Sequence, residues 1–264
     1  WCQGYSEPNA GSDLAGLQMK AEDKGDHYMV NGSKVWTTYA DKADWIFCLV
    51  RTNSQVSKHN GISFLLIDML TQGVSTRPIK LISGKSPFCE TFFDNVKVPK
   101  TNMIGTLNDG WTIAKYLLTH ERKMIGGVGE TDIKQEISKI AKEKIGISSG
   151  QLKDSFLRPQ IAKFEMNESI FDITIQRIMD EDKSGKKAAL LSSFFKYYGT
   201  ELNIKREELL MQIGGTDSLL WVANENNDAD AARKFCRSKG NSIEGGTSEI
   251  QLNIIAKRIL NLPS

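Results

Sequence analysis

The first hundred residues alternate short apolar runs with turn residues. Leu17–Asp23, His27–Val30, Ser33–Thr38, Trp45–Arg51, Ile62–Asp68, Val74–Ile79 and Cys89–Phe93 are short, regularly spaced and rich in β-branched or aromatic side chains. Each is a strand candidate. Asn31-Gly32 separates two of them and predicts a hairpin turn, because both residue types tolerate φ > 0. Gly11, Gly25, Gly61, Gly73 and Gly84 fall between the runs as further turn residues. The spacing predicts an all-β sandwich or barrel.

Beyond Val98-Pro99 the period lengthens. Asp109 is placed to cap a helix that carries Trp111, Ala114, Leu117, Leu118 and Ile125 on one face. Helical patterns recur at about 131–146, 155–182, 186–212 and 228–238. A last one runs from about Thr247 to Leu260 and stops before Pro263. Ser248, with Gln251 three residues on, predicts a capping box at its start. The expected architecture is α+β and multidomain: a β-barrel or sandwich domain over residues 1–103, then an antiparallel four-helix bundle over 104–264.

Composition narrows the class. The 264 residues are 40% apolar and 25% charged with only 6 prolines, which excludes collagen, coiled coil and disorder. The longest apolar runs, Trp45–Val50 and Ile62–Ile67, are far too short for a membrane-spanning helix. A net charge of +2 argues against a dedicated nucleic-acid binder. Cys2, Cys48, Cys89 and Cys236 are scattered without metal spacing, which points to a reducing compartment. No signal-peptide pattern opens the chain. It begins at Trp1 rather than Met, so more polypeptide is expected upstream.

Four stretches have chemical potential, each with a plain structural alternative. Gly4–Asp13 (GYSEPNAGSD) is either a polar surface loop or one that brings N–H and hydroxyl donors against a ligand. Trp36-Thr37-Thr38 is either core or an aromatic platform for a flat ring with a hydroxyl edge. Glu121 stands three residues after Leu118 and four before Ile125, on or beside the apolar stripe. It is either a boundary glutamate paired with a basic residue or a carboxylate raised in pKa toward general-base duty. Arg122 points about 100° away on the helix. Gly245-Gly246-Thr247-Ser248 is either a turn or an oxyanion cradle, with Glu244 just outside it. His27, His59 and His120 have no partner at metal or triad spacing, and no GxGxxG, Walker or GxSxG word occurs.

In this order, the words WCQGYSEPNAGSDLAGLQMKAE, VNGSKVWTTYADKADWIFCLVRT, FDNVKVP with GW and HER, and IEGGTSEIQLNIIAKRILNLP resemble the acyl-CoA dehydrogenase family of flavoproteins. The resemblance implies the family's middle β domain and C-terminal helical bundle, without its N-terminal helical domain. It implies FAD as cofactor, with Gln3, Tyr5, Ser6, Gly11, Ser12, Trp36, Thr38, Thr247 and Glu249 contacting it. It implies substrate contacts from Ser12, Arg122 and the Gly245 N–H. Many family members carry a glutamate directly before the Gly-Thr of the last word. Here that position is Gly245, and Glu244 is one residue early. A second subgroup, resembling the isovaleryl- and long-chain-specific enzymes, carries its glutamate before the arginine of the first bundle helix. Glu121 matches that position and is the catalytic base expected here. The family's Arg…Phe-Gly word is replaced by SFLRPQIAKFE, and Gln212 before Gly214-Gly215 is one residue short of the family's flavin-diphosphate spacing, so Arg158 and Gln212 stay outside the assigned set.

The implied reaction is α,β-dehydrogenation of an acyl-CoA thioester to the trans-2-enoyl-CoA. The hydride goes to flavin N5 and the electrons to an electron-transfer flavoprotein. The expected assembly is a homo-oligomer, a dimer of dimers, in the bacterial cytoplasm, with the mitochondrial matrix as the other location. Two alternatives stand beside this: a catalytically incomplete partner subunit of a hetero-oligomer, and an oxygen-using flavin oxidase of the same fold.

Overall fold

The computed structural model describes residues 1–127, 136–183, 191–223 and 229–263. Its strands are β1 (Cys2–Gly4), β2 (Lys20–Asp23), β3 (His27–Thr38), β4 (Trp45–Arg51), β5 (Ile62–Asp68), β6 (Val74–Ile79), β7 (Phe88–Pro99) and β8 (Met103–Ile104). They form one sheet in the order β6-β7-β3-β2-β4-β5-β8, with β1 parallel to β4. β4 and β5 are apolar at almost every position because both of their faces are covered. Ile46, Cys48, Val50, Leu65 and Ile67 join one core cluster. Phe47, Leu49, Phe64 and Leu66 alternate with them and join another.

Asn31-Gly32 is not the expected turn. His27–Thr38 runs through it as a single 12-residue strand. Gly32 has φ +144°, and a Cβ there would lie 2.9 Å from the Met19 Cα, so only glycine lets the two backbones approach. The ladder to β7 slips here, from Val30↔Val96 to Gly32↔Phe93, which leaves an extra residue on β7. Asn95 takes the left-handed conformation at this bulge, and its N–H donates to Asn31 Oδ1 at 2.8 Å. The actual hairpin lies upstream, between β2 and β3. There Lys24 N–H donates to His27 O (2.9 Å) and Gly25 N–H to Asp23 Oδ1 (2.9 Å). The strand expected from Leu17 starts only at Lys20, and the one expected over Cys89–Phe93 extends to Phe88–Pro99.

The irregular Gly4–Met19 segment is held by buried charge. Glu7 accepts from Gln18 N–H (2.6 Å), Met19 N–H (3.0 Å) and Lys34 Nζ (2.8 Å). Lys34 is fully buried on β3 and also donates to Tyr5 O (3.1 Å). Burial pulls its pKa below the usual lysine range, against the opposing pull of Glu7. Arg51 donates to Ala15 O (2.6 Å), Leu17 O (3.1 Å) and Lys58 O (2.5 Å).

The helix expected after Asp109 is α1 (Gly110–Ile125). Trp111, Ala114, Leu117 and Leu118 of its predicted stripe pack into the second core cluster. Two compact units, Trp1–Leu118 and Thr119–Ser264, divide the chain within α1. The second unit adds α2 (Ile137–Ile145), a short β9–β10 hairpin (Ile147–Ser148, Gln151–Leu152), α3 (Leu157–Lys183), α4 (Ser192–Gly214), α5 (Asp230–Ser238) and α6 (Ser248–Ile254), which runs on into a π turn at Ile255–Ile259. The opening residues of the helices predicted at 131–146, 186–212 and 228–238 fall outside the described residues.

α4 packs against α2, α3, α5 and α6. Ile137, Ala141, Ile161, Phe164, Leu209 and Ile213 build one core there, and Phe171, Ile178 and Phe195 another. The residues after α1 cross α4 through two glycines. A Cβ on Gly126 would sit 2.5 Å from Phe195 O, and one on Gly199 2.3 Å from Gly126 O. The cap of α6 is Thr247 rather than Ser248: its side chain accepts from Ile250 N–H at 3.2 Å. Ser248 is the first helical residue, and its hydroxyl donates to Glu201 Oε1 at 3.1 Å. No helix among the described residues is long and apolar enough to cross a membrane.

Gly32→Ala should destabilise the protein by about 1–3 kcal/mol. Gly11→Ala, where a Cβ meets nothing within 4 Å, should change stability by under about 1 kcal/mol; parallel denaturant melts compare the two. Lys34→Met, which strands the Glu7 charge, should cost about 3–5 kcal/mol. Pairing it with Glu7→Gln should cost less than Lys34→Met alone, and the same melts measure this coupling.

Candidate active site

In the first unit the structure gathers the polar loop against the end of β3. Val35 N–H donates to Ser6 O at 2.9 Å, one residue before Trp36, and Lys34 is bonded to Tyr5 O. The Tyr5 ring lies in the core, edge-on to Phe47 and Phe64. Gln3 is half-buried on β1, while Gly11 and Ser12 are exposed at the tip of the loop. Next to them Asp13 pairs with Lys58 (2.6 Å).

The ladder between β3 and β7 slips a second time, from Lys34↔Thr91 to Thr37↔Cys89. Three steps on β3 oppose two on β7, and this bulge re-aims the side chains. Trp36 occupies it with φ +62° and is 54% exposed, against an edge-on Phe88 at 6.0 Å. A bulky residue in the left-handed region is strained by about 1–2 kcal/mol. Such strain concentrates at functional positions. Thr37 turns inward, and its Oγ1 has no hydrogen-bond partner among the described residues. Thr38 is exposed beside Trp36. The core alternative for Trp36 therefore fails, since its ring lies half in solvent.

In the second unit Glu121 and Arg122 sit on the last turns of α1. Gly245 approaches them through its backbone. A Cβ on Gly245 would lie 3.9 Å from Glu121 Oε1 and 2.6 Å from Ile125 Cδ1. Gly245 and Gly246 have φ +63° and +89°, so the chain turns here as glycine readily allows. Gln251 Nε2 donates to Gly245 O (3.0 Å) and Gly246 O (3.4 Å). Burial lowers the Arg122 pKa, opposed by Glu121, and its Nε has no hydrogen-bond partner among the described residues.

Glu244 faces other partners: Arg237 donates to it at 2.8 Å, and so does the Asn241 amide. Glu249 is exposed, with its carboxyl held below the usual range first by its own N–H and then by the Thr247 hydroxyl. Sequence reading passed over Lys34 and Lys196 and took Gln251 only for a capping-box residue; all three are fully buried. Lys34 shares the inward parity of Tyr28 and Val30, which was the one available signal.

Comparisons with known proteins bear on the family of the chain. The profile of the acyl-CoA dehydrogenase middle domain matches residues 2–96, and that of the acyl-CoA dehydrogenase C-terminal domain matches residues 108–260. The acyl-CoA dehydrogenase FadE34 of Mycobacterium tuberculosis is 34% identical over 100% of this chain and 35% of its own length. The acyl-CoA dehydrogenase IpdE1 of Mycolicibacterium smegmatis is 33% identical over 100% of this chain and 67% of its own. The chain thus spans about a third of the one relative and two thirds of the other. Among solved structures, the Tcur3481-Tcur3483 steroid ACAD superposes with a TM-score of 0.87 at 25% identity, covering 99% of this chain and 68% of that one. The ChsE4-ChsE5 complex from Mycobacterium tuberculosis superposes at 0.80 with 28% identity, covering 100% and 69%. A β domain, a helical domain and both sequence profiles converge: the chain belongs to the acyl-CoA dehydrogenase family.

Proposed function

We propose that the protein catalyses α,β-dehydrogenation of an acyl-CoA thioester to the trans-2-enoyl-CoA, with Glu121 as the base that removes the α-proton. The observation that carries this is the approach of Gly245 to Glu121. The Gly245 Cβ position lies 3.9 Å from Glu121 Oε1. A side chain grown from residue 245 and the side chain of Glu121 thus enter one small space. The absence of a glutamate at residue 245 is compatible with the chemistry, because Glu121 supplies the carboxylate from another element.

The residues fit FAD. Trp36 offers an exposed aromatic face, Thr38 an exposed hydroxyl beside it, and Gly11 open space where other residues carry a Cβ. Gln3, Tyr5, Ser6, Gly11, Ser12, Trp36, Thr38, Thr247 and Glu249 are assigned to hold it. When bound, FAD supplies the hydride acceptor of the reaction. Gly245 N–H donates to the thioester carbonyl, which acidifies the α-carbon by stabilising enolate charge. Glu121 takes the α-proton onto its carboxylate. Ser12 and Arg122 are assigned to the substrate. Electrons then leave for an electron-transfer flavoprotein, and the protein works as a dimer of dimers in the bacterial cytoplasm.

A second reading, that the chain is one subunit of a hetero-oligomer, is favoured by a specific observation. Two of its structural relatives, at 25% and 28% identity, are described by paired chains, Tcur3481-Tcur3483 and ChsE4-ChsE5. Copurification of a distinct chain would support that assembly.

Glu121→Gln should retain bound, yellow FAD and lose about 10²- to 10⁴-fold in kcat. Turnover at the wild-type rate would exclude Glu121 as the base. Glu121→Gly combined with Gly245→Glu should recover about tenfold or more of the turnover lost by Glu121→Gly alone. The flexible end of Ile125 must move and the new glutamate must take the left-handed φ of +63°, which limits the recovery, and steady-state kinetics of the two variants settle it.

A further inference from the structure

The segment from Lys239 to Thr247 carries Gly245, and it is irregular apart from a short 3₁₀ turn at Lys239–Ser242. Its main-chain carbonyls find side-chain donors on both sides. Lys196 of α4 is fully buried and donates to Asn241 O (2.9 Å) and Ser242 O (3.4 Å). Asn203, two turns along α4, donates to Asn241 Oδ1 (2.8 Å). The Asn241 amide in turn donates to Glu244. On the far side, the fully buried Gln251 donates to the carbonyls of Gly245 and Gly246. α4 itself is locked to the end of α1 by the Gly126–Gly199 contact, five residues beyond Glu121.

We propose that Lys196 is a positioning residue: by holding two main-chain carbonyls upstream of Gly245 while Gln251 holds two at and after it, it keeps the Gly245 backbone beside the Glu121 carboxylate. This rests on the reading of Glu121 as base and Gly245 N–H as carbonyl donor. The physical ground is the cost of burying an ammonium, which is tolerated only where its protons are bonded. Burial lowers the Lys196 pKa, and Glu244, Glu201 and Glu249 oppose that shift, while Arg122 adds to it. A carbonyl-bound cation of this kind fixes its loop in a single place. A displacement of about 1 Å at such a loop costs on the order of a hundredfold in rate.

The test uses the full chain with FAD bound and compares Lys196→Met and Gln251→Met with wild type. Met keeps the apolar stem and removes the donors. Two readouts are taken: hydrogen–deuterium exchange of the 239–248 segment, and steady-state kinetics on an acyl-CoA. The expected result is faster exchange confined to that segment, with kcat lower by about ten- to a hundredfold and KM within about threefold. Unchanged exchange in 239–248, or a KM increase at unchanged kcat, overturns the proposal. If Lys196→Met does not fold, Gln251→Met decides by the same two readouts. Failure of the base assignment is separate, because it appears as retained turnover in Glu121→Gln and leaves the exchange readout valid.

Discussion

A chain that leaves the helix and sheet ladders must still find donors for its buried carbonyls, and in both units buried cations are among those donors. Lys34 holds Tyr5 O, Arg51 holds Ala15 O, Leu17 O and Lys58 O, and Lys196 holds Asn241 O and Ser242 O. Each bond satisfies two groups that would otherwise be costly, the buried charge and the buried carbonyl. The segments so fixed hold or adjoin candidate site residues: Tyr5 itself in the first unit, and in the second Asn241 and Ser242, just before Gly245. Loops usually contribute function at the expense of order. Here the order is restored by charge-assisted bonds from regular elements beneath them.

Three of the left-handed positions show two kinds. Gly32 and Gly245 combine a positive φ with a close neighbour, the Met19 backbone in one case and the end of the Ile125 side chain in the other. Trp36 is a large side chain in a conformation that disfavours it, and it is turned to solvent instead of into the core. The first kind is packing. The second costs stability without a packing return in the isolated unit, which is what an aromatic surface reserved for a ligand would look like.

Membership of the acyl-CoA dehydrogenase family gives these features a common chemistry. The family's reaction needs an acidified α-carbon and a base within reach of it. In the second unit the Gly245 backbone and the Glu121 carboxylate, brought together from the turn before α6 and from α1, are the groups we propose for those two needs. Glu244, by contrast, accepts hydrogen bonds from Arg237 and Asn241.

The sequence by itself determined the succession of a β domain and a helical domain, most strand positions and the stripe of α1. These follow from periodicity, which is local and repeats. It also determined the family, because the words around Ser6, Trp36, Glu121 and Gly245 are specific as a set. It misplaced the hairpin at Asn31-Gly32, since a left-handed glycine serves a turn and a close backbone approach equally well, and only the neighbour, Met19, distinguishes them. It placed the α6 cap one residue late, because Thr247 and Ser248 are equally good caps until Glu201 takes the Ser248 hydroxyl. The exposure of Trp36 hung on a one-residue slip against β7, and the parts played by Lys196 and Gln251 hung on which carbonyls folded within their reach. Those are relations between segments far apart in the chain, and nothing local encodes them.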